Sequence, residues 1–347
     1  MPDRPLARAR LVAQGLVTRP YATAVETVRD FGLMQGQEPT VFSSVALRLQ
    51  QNRMADVHRS LADGELVRAY PMRGTVFLGA AADMTWLTEL CSGQVRERAR
   101  RNCATAGADA AAVDTIAQLL ADAPGGLTQA EFRDLVVRVV PGATSSTFYR
   151  VRYLLMITGM AVYAGSRQLI TPAAGLLGPG LAERFNGDRD AAVPELATRY
   201  LRTRGPATAE DFAWWSKLPK AEIRRAFTRL PEDLVDLGDG MWARVGLAGE
   251  VAAAGRALRH PHLLPAFDEF ILGYRDRLFA MTSVVHEQLV PKNMGVFRKA
   301  VVVDGVVRGA WRQAGGRLTV DDYSGVPDYA AAGIRRRFRD FPFHRNS

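Results

Sequence analysis

A mostly α protein with short β hairpins (α+β), made of three helix–helix–hairpin modules in tandem and a β-rich C-terminal domain, is predicted by three features of the chain. A weak internal repeat runs through about the first 250 residues. The run Leu66-Val-Arg-Ala-Tyr-Pro-Met-Arg-Gly-Thr-Val-Phe-Leu78 alternates apolar residues about a turn, as a hairpin does. After Pro261 the composition changes to short β-branched runs broken by Asp304-Gly305 and Gly315-Gly316.

The elements follow in order. In the N-terminal copy, Thr23–Phe31 and Met54–Asp63 read as helices, and Leu66–Leu78 as a hairpin turning at Pro71–Gly74 with Arg73 at its tip. A helix feeding an arginine-tipped hairpin has the outline of a winged helix, whose wing touches a phosphate backbone. Asp83–Asp122 is Ala-rich and helical, with a basic run at Arg96, Arg98, Arg100 and Arg101. Thr128 and Glu131 form a capping box, each serving a free amide at the start of an amphipathic helix. A helix over Thr147–Met160 then leads to Ala161–Ala164 and Arg167–Ile170, split by Gly165-Ser166. The stretch Pro172–Pro194, with four glycines and three prolines, reads as a connector. The pattern returns at Thr208 and Asp211, through Trp214 and Trp215 to Pro219, Ala221–Leu230, and a hairpin turning at Gly238-Asp239-Gly240. Val296–Ala300, Val301–Val303, Val306–Trp311 and Leu318–Val320 are the expected C-terminal strands, and Arg335–Arg339 a basic helix end. The expected modules are 1–82, 123–175 and 194–247, with a helical connector at 83–122, a linker at 176–193 and the β-rich domain at 261–347.

Composition narrows the function. Forty-five basic against 36 acidic residues give a net charge of +9, which favours a polyanionic partner. Lysine occurs only at 217, 220, 292 and 299, so few amines are available for Schiff-base chemistry. Cys91 and Cys103 build neither a disulfide framework nor a metal site, and both read as small buried hydrophobes. His260 and His262 flank Pro261 and read as a turn into the last domain. The N-terminus has no apolar signal core and no run reaches membrane-spanning length. A soluble, cytoplasmic and nucleoid-associated monomer without metal or cofactor is expected.

Gln35-Gly36-Gln37 stands just before the first hairpin. Two amides beside a DNA-touching wing suggest DNA chemistry rather than DNA binding alone. Four segments carry a resemblance: Gly32–Pro39, Leu66–Thr75, Leu263–Arg277, and Asn293–Arg298 with Val301–Gly305 and Trp311-Arg312. With these in order, the chain resembles the AlkZ/YcaQ family of winged-helix DNA glycosylases over nearly its whole length. The resemblance implies three winged-helix modules and a β domain arranged as a C-shaped clamp around duplex DNA. It also implies that Gln35 and Gln37 are the catalytic pair. This sequence departs between them: Gly36 stands where a larger apolar residue is common, and glycine predicts a looser backbone there. Family members release interstrand crosslinks or bulky natural-product adducts, which implies a repair or self-resistance role. An open clamp would accept such lesions without full base flipping.

The chemistry of an amide pair can be argued separately. Cleaving an N-glycosidic bond passes through an oxocarbenium-like sugar. Ordinary bases leave poorly and need an acid for the base and a carboxylate for the water, which glutamine cannot supply. A purine alkylated at N7 already carries positive charge and departs as a neutral species. The protein then needs mainly to hold a water behind C1′, which two amide carbonyls can do. With no lysine before Lys217, a water-using enzyme without lyase activity is expected, acting on duplex DNA that carries an alkylated purine.

Other residues are weighed against bland roles. Arg73 and Arg68 are expected to contact DNA. Asp268 and Glu269, being adjacent, point apart and read as a structural ion-pair network with Arg275, Asp276 and Arg277 nearby. Trp214, Trp215, Tyr149 and Tyr153 sit at helical spacings and read as core. Glu38 is turned from the amides by strand parity. The competing function is a non-catalytic winged-helix regulator or drug-sequestering protein. A regulator usually dimerises, and no long heptad run is visible.

Overall fold

The computed structural model describes residues 1–293 and 295–344, apart from the side chains of Gln94 and Asn293. Its helices begin where short polar side chains can satisfy their first amides. Asp3 opens α1 (Arg4–Ala13) by accepting the Leu6 N–H at 3.0 Å, and Thr23 opens α2 (Ala24–Phe31) by accepting that of Glu26 at 3.1 Å. A two-residue strand β1 (Met34–Gln35) follows, then α3 (Val41–Ala46) and α4 (Met54–Ala62). The hairpin is β2 (Leu66–Met72) and β3 (Thr75–Ala80).

Its turn is tighter than the sequence suggests. Only Arg73 and Gly74 connect the strands, at φ 59° and 71°, the two left-handed residues of a type I′ turn. Pro71 belongs to β2, within an irregularity of the ladder between Ala69 and Met72.

Helices α5 (Ala81–Thr105) and α6 (Ala110–Ala121) cover the stretch expected to be helical. Next come α7 (Gln129–Val139), opened by the Thr128–Glu131 capping box, and α8 (Ser145–Ile157). The hairpin of β4 (Ala161–Ala164) and β5 (Leu169–Pro172) completes this unit. The two hairpins do not stand apart: they join in one five-stranded sheet of order β1-β3-β2-β4-β5, with Arg68 paired to Tyr163.

The expected linker is partly helical. After α9 (Leu181–Phe185), α10 (Arg189–Arg204) carries Pro194 inside it. Proline removes one helical N–H, and the Asp190 carbonyl one turn earlier accepts from Arg229 instead, at 3.0 Å. A third helix–helix–hairpin unit follows in α11 (Ala209–Ser216), α12 (Lys220–Phe227), β6 (Leu234–Asp236) and β7 (Trp242–Arg244). Its capping box, Thr208 with Asp211, is as expected.

After α13 (Leu247–Ala254), the His260–His262 stretch is not a turn into the last domain. Pro261 begins β8 (Pro261–Leu264), an edge strand of a four-stranded sheet of order β11-β10-β9-β8. Helices α14 (Glu269–Leu272) and α15 (Ser283–Leu289) separate β8 from β9 (Ala300–Val303), β10 (Val306–Ala314) and β11 (Arg317–Asp322). Residues 296–299 are irregular rather than a strand, and Met294 lies outside the described residues. Helix α16 (Ala331–Arg339) packs on β8, burying Ile334 with Leu263 and Trp311.

One apolar core crosses these units. It joins Leu11 of α1, Phe77 of β3, Trp86 of α5, Tyr200 of α10, Trp215 of α11 and Phe270 of α14. Helix α1 therefore serves the later units as well as the first. Its Arg8 pairs with Asp304, and Arg10 donates to the Pro206 carbonyl and lies 3.7 Å from the Tyr274 ring centre.

Candidate active site around two glutamines

Gln35 and Gln37 lie where β1 leaves the sheet. Met34 pairs with Leu78 and Gln35 with Phe77, and the Gly36 N–H continues the ladder to the Val76 carbonyl at 2.8 Å. The Gly36 carbonyl accepts from Arg68 at 3.0 Å. A Cβ at Gly36 would meet the Leu78 nitrogen at 2.8 Å and the Phe77 carbonyl carbon at 3.0 Å. Glycine here does not loosen the backbone, as its residue type suggests. It lets β1 close against β3, and both of its peptide groups are bonded.

The amides lean on the first residues of β3. The Gln35 side-chain oxygen accepts from the Thr75 hydroxyl at 3.4 Å, and that of Gln37 from the Val76 N–H at 3.3 Å. Gln35 is 7% exposed, while Gln37 is exposed. Each amide oxygen keeps a second lone pair for another donor. Glu38 is also exposed and borders an open cavity of about 650 Å³ with Phe297, Arg298, Lys299 and Arg312.

Behind the glutamines is a buried charge network. Glu269 accepts the Gln35 N–H at 2.7 Å with one oxygen and Arg204 at 2.8 Å with the other. Arg204, itself fully buried, also donates to the carbonyls of Phe31 and Leu33. Asp268 binds Arg48 at 2.9 and 3.0 Å, and Arg48 further donates to Gln14 and Ser44. Burial raises the Asp268 carboxyl, but the charge and hydrogen bonds of Arg48 outweigh that and hold it below the ordinary carboxylate range. The ion-pair network expected at Asp268 and Glu269 is thus present with other partners: the distant Arg48 and Arg204, not Arg275 and Arg277. Nothing in the local sequence marks those two arginines, because the pairing spans 220 and 65 residues.

The two arginines expected on DNA occupy different places. Arg68 is half-buried and committed to Gln168 at 2.7 Å and to Gly36. Its contacts fix the backbone between the amides. Arg73 reaches the ring of Trp214, 4.6 Å from its centre, and burial pulls its guanidinium pKa down. Lys217 and Arg277 approach the same ring at 5.4 and 5.2 Å. Trp214 therefore lies at the core's margin, half-buried against it with three cations at its ring, whereas Trp215 is buried in the core. Tyr149 is likewise exposed, against expectation. Cys91 and Cys103 are inert by environment, since burial pushes their thiols up to about 12 and about 11. Among the described residues, no cluster of three His, Cys, Asp or Glu could hold a metal, and no helix is long and apolar enough to cross a membrane.

The chain as a whole has counterparts among known proteins. A family model described as "DNA glycosylase AlkZ-like" matches residues 28–341. The chain belongs to the AlkZ-like DNA glycosylase family. The "Interstrand DNA cross-link repair glycosylase" of Streptomyces sahachiroi is 25% identical over 343 residues, covering 90% of this chain and 88% of that protein. The solved structure of Streptomyces sahachiroi DNA glycosylase AlkZ superposes with a TM-score of 0.72 at 23% identity, covering 98% of this chain and 97% of that one. That likeness shows the fold, and the family membership makes this a DNA glycosylase homologue.

Proposed function

We propose that the chain hydrolyses the N-glycosidic bond of cationic, N7-alkylated purines in duplex DNA, with Gln35 and Gln37 as the catalytic pair and repair or self-resistance as its role. The observation that carries this is the placement of both amide oxygens on one sheet edge, each oriented by a β3 donor and each with a lone pair to spare. A water donating to both oxygens would be held for attack on C1′. The C1′–N9 electron pair passes to the already positive base, which leaves neutral. The water oxygen bonds to C1′ and its proton goes to solvent. The amide dipoles face the developing cation, and each 1.36 kcal/mol gained this way is about tenfold in rate.

Glu269 does not compete as base or nucleophile in this reading, because both its oxygens are engaged. Lys217, the first lysine in the chain, reaches Trp214 and makes no hydrogen bond to either glutamine among the described residues. A monofunctional enzyme fits this arrangement. Three winged-helix units clamped around the duplex would bring Arg73, Arg277, Lys217, Arg298, Lys299 and Arg312 to bear on the DNA.

The test is excision from an oligonucleotide carrying N7-methylguanine, and from one carrying a bulky N7 adduct or crosslink, read as abasic sites by alkaline cleavage. Wild type should cleave, and Gln35→Ala and Gln37→Ala should lose excision while keeping duplex binding. Borohydride should trap no protein–DNA adduct. Absence of excision from every substrate, with tight DNA or drug binding intact, would move the reading to a regulator or sequestering protein.

A further inference from the structure

Against the hairpin tip is a cleft of about 410 Å³ between the turn, α5 and α8. Arg73, Arg98 and Arg150 line it together with Asn102, Tyr149 and Tyr153, and no carboxylate does. Arg98 is exposed and has no hydrogen-bond or ion-pair partner among the described residues. Arg150 is oriented by the Ser146 hydroxyl at 3.0 Å and the Asn102 carbonyl at 3.2 Å, which leaves one terminal amino group uncommitted.

The cleft also has an aromatic floor. Tyr149 and Tyr153 lie parallel, their planes 6° apart and centres 6.0 Å apart, and Tyr70 meets Tyr153 edge-on. Tyr149, at the open end of this row, is 48% exposed. An exposed tyrosine of a parallel pair does little for a core. Beside the unpaired Arg98 and the free amino group of Arg150 it has the composition of a site for single-stranded nucleic acid, where cations take the phosphate and a ring takes the base. The location is specific too. Tyr153 closes on bare Gly74, its hydroxyl 3.3 Å from where a Cβ would stand, and the next residue, Thr75, holds Gln35.

We propose that this cleft binds one unstacked nucleotide of the DNA, its base on Tyr149 and its phosphate between Arg98 and Arg150. The inference rests on the reading of the chain as a DNA-acting enzyme but not on excision. A nucleotide near the lesion, displaced from the stack by a bulky adduct, is its natural occupant. Holding it there would keep the distorted duplex in register with the glutamines.

The test is binding, so that it stands apart from the excision assay. Affinities would be compared for a fully paired duplex and for one of the same length with a single unpaired nucleotide, at one salt concentration. Wild type should prefer the bulged duplex, because its unstacking is already done. Tyr149→Ala should abolish that preference, by about fivefold or more, and Tyr149→Phe should keep it. Arg98→Gln, at an exposed and unpartnered side chain, should narrow it without affecting the fold. No preference in wild type, or a preference that survives both Tyr149→Ala and Arg98→Gln, would overturn the proposal. Loss of excision with the bulge preference intact would instead count against the glycosylase reading alone.

Discussion

The hairpins β2–β3 and β6–β7 each follow a pair of helices and a similar alternation of residues, yet one is enclosed and the other stands open. Strands β2 and β3 are inner strands of a five-stranded sheet, and most of their residues are buried. Even the tip is covered, with Arg73 on the Trp214 ring. Strands β6 and β7 pair only with each other, leaving Val235, Leu237 and Val245 exposed. What separates the two is their neighbours. Strand β1 covers one edge of the first hairpin and β4 the other, whereas the third hairpin has an isolated bridge, from Trp242 to Ala207. An enclosed hairpin has fixed donors to offer, and Thr75 and Val76 offer theirs to the glutamines. The open one offers no donors to the glutamines, and it leaves the apolar side chains of Val235, Leu237 and Val245 bare.

The sharpest way to break this contrast is to remove the charge behind β1. Glu269→Ala would leave Arg204 buried without its carboxylate and the Gln35 N–H without its acceptor. Loss of one partner of a buried pair costs about 3–5 kcal/mol, so the urea midpoint should fall steeply and excision with it. A loss under about 1 kcal/mol would mean that the enclosure does not depend on this network.

Gly36→Val tests the closeness of β1 and β3 directly. Its first carbon would arrive 2.8 Å from the Leu78 nitrogen, so the strand must move off the hairpin. Overpacking of this kind costs about 1–3 kcal/mol. Excision should fall further than stability, since both glutamines would leave their donors, while affinity for undamaged duplex should hold. Full activity in this variant would show that the amides do not need β3.

These two positions also show how much was legible in the sequence. The helix caps at Thr128 and Thr208 and the hairpins are local, and residue type and spacing announced them, whereas the glutamine pair stood out only through the family resemblance. The conformation of Gly36 could not be read, because its cause is the backbone of β3, more than forty residues away. The partners of Glu269 were equally hidden, since an arginine that will be buried has no local mark. Helix α10 was missed for the opposite reason: its local signals, Gly187 and Pro194, argue against a helix, and the Asp190 carbonyl freed by Pro194 finds Arg229 only in the folded chain. Tyr149 was misread as core because helical spacing shows which residues share a face but not what that face meets.

Acid titration gives the smallest and most direct contrast between the regions. Asp268, behind the first hairpin, and Asp233, at the start of the third, both have carboxyls held below the ordinary 3.8. For Asp268 the charge of Arg48 overcomes burial, and for Asp233 the hydrogen bonds of Arg202 dominate. A folded-state pKa below the unfolded one adds stability that is present above about pH 4 and is lost as pH falls through the folded value. The sign is the same for both, but the settings differ. The Arg48–Asp268 side chains are fully buried, while those of Arg202 and Asp233 are 46% and 47% exposed. Solvent and salt screen the second pair to about 1 kcal/mol or less. Urea midpoints between pH 5 and pH 3 should therefore fall in wild type, fall much less in Asp268→Asn, and fall as in wild type in Asp233→Asn. Equal flattening by the two variants would mean that the third hairpin is held as tightly as the first, and the contrast between enclosed and open hairpins would not stand.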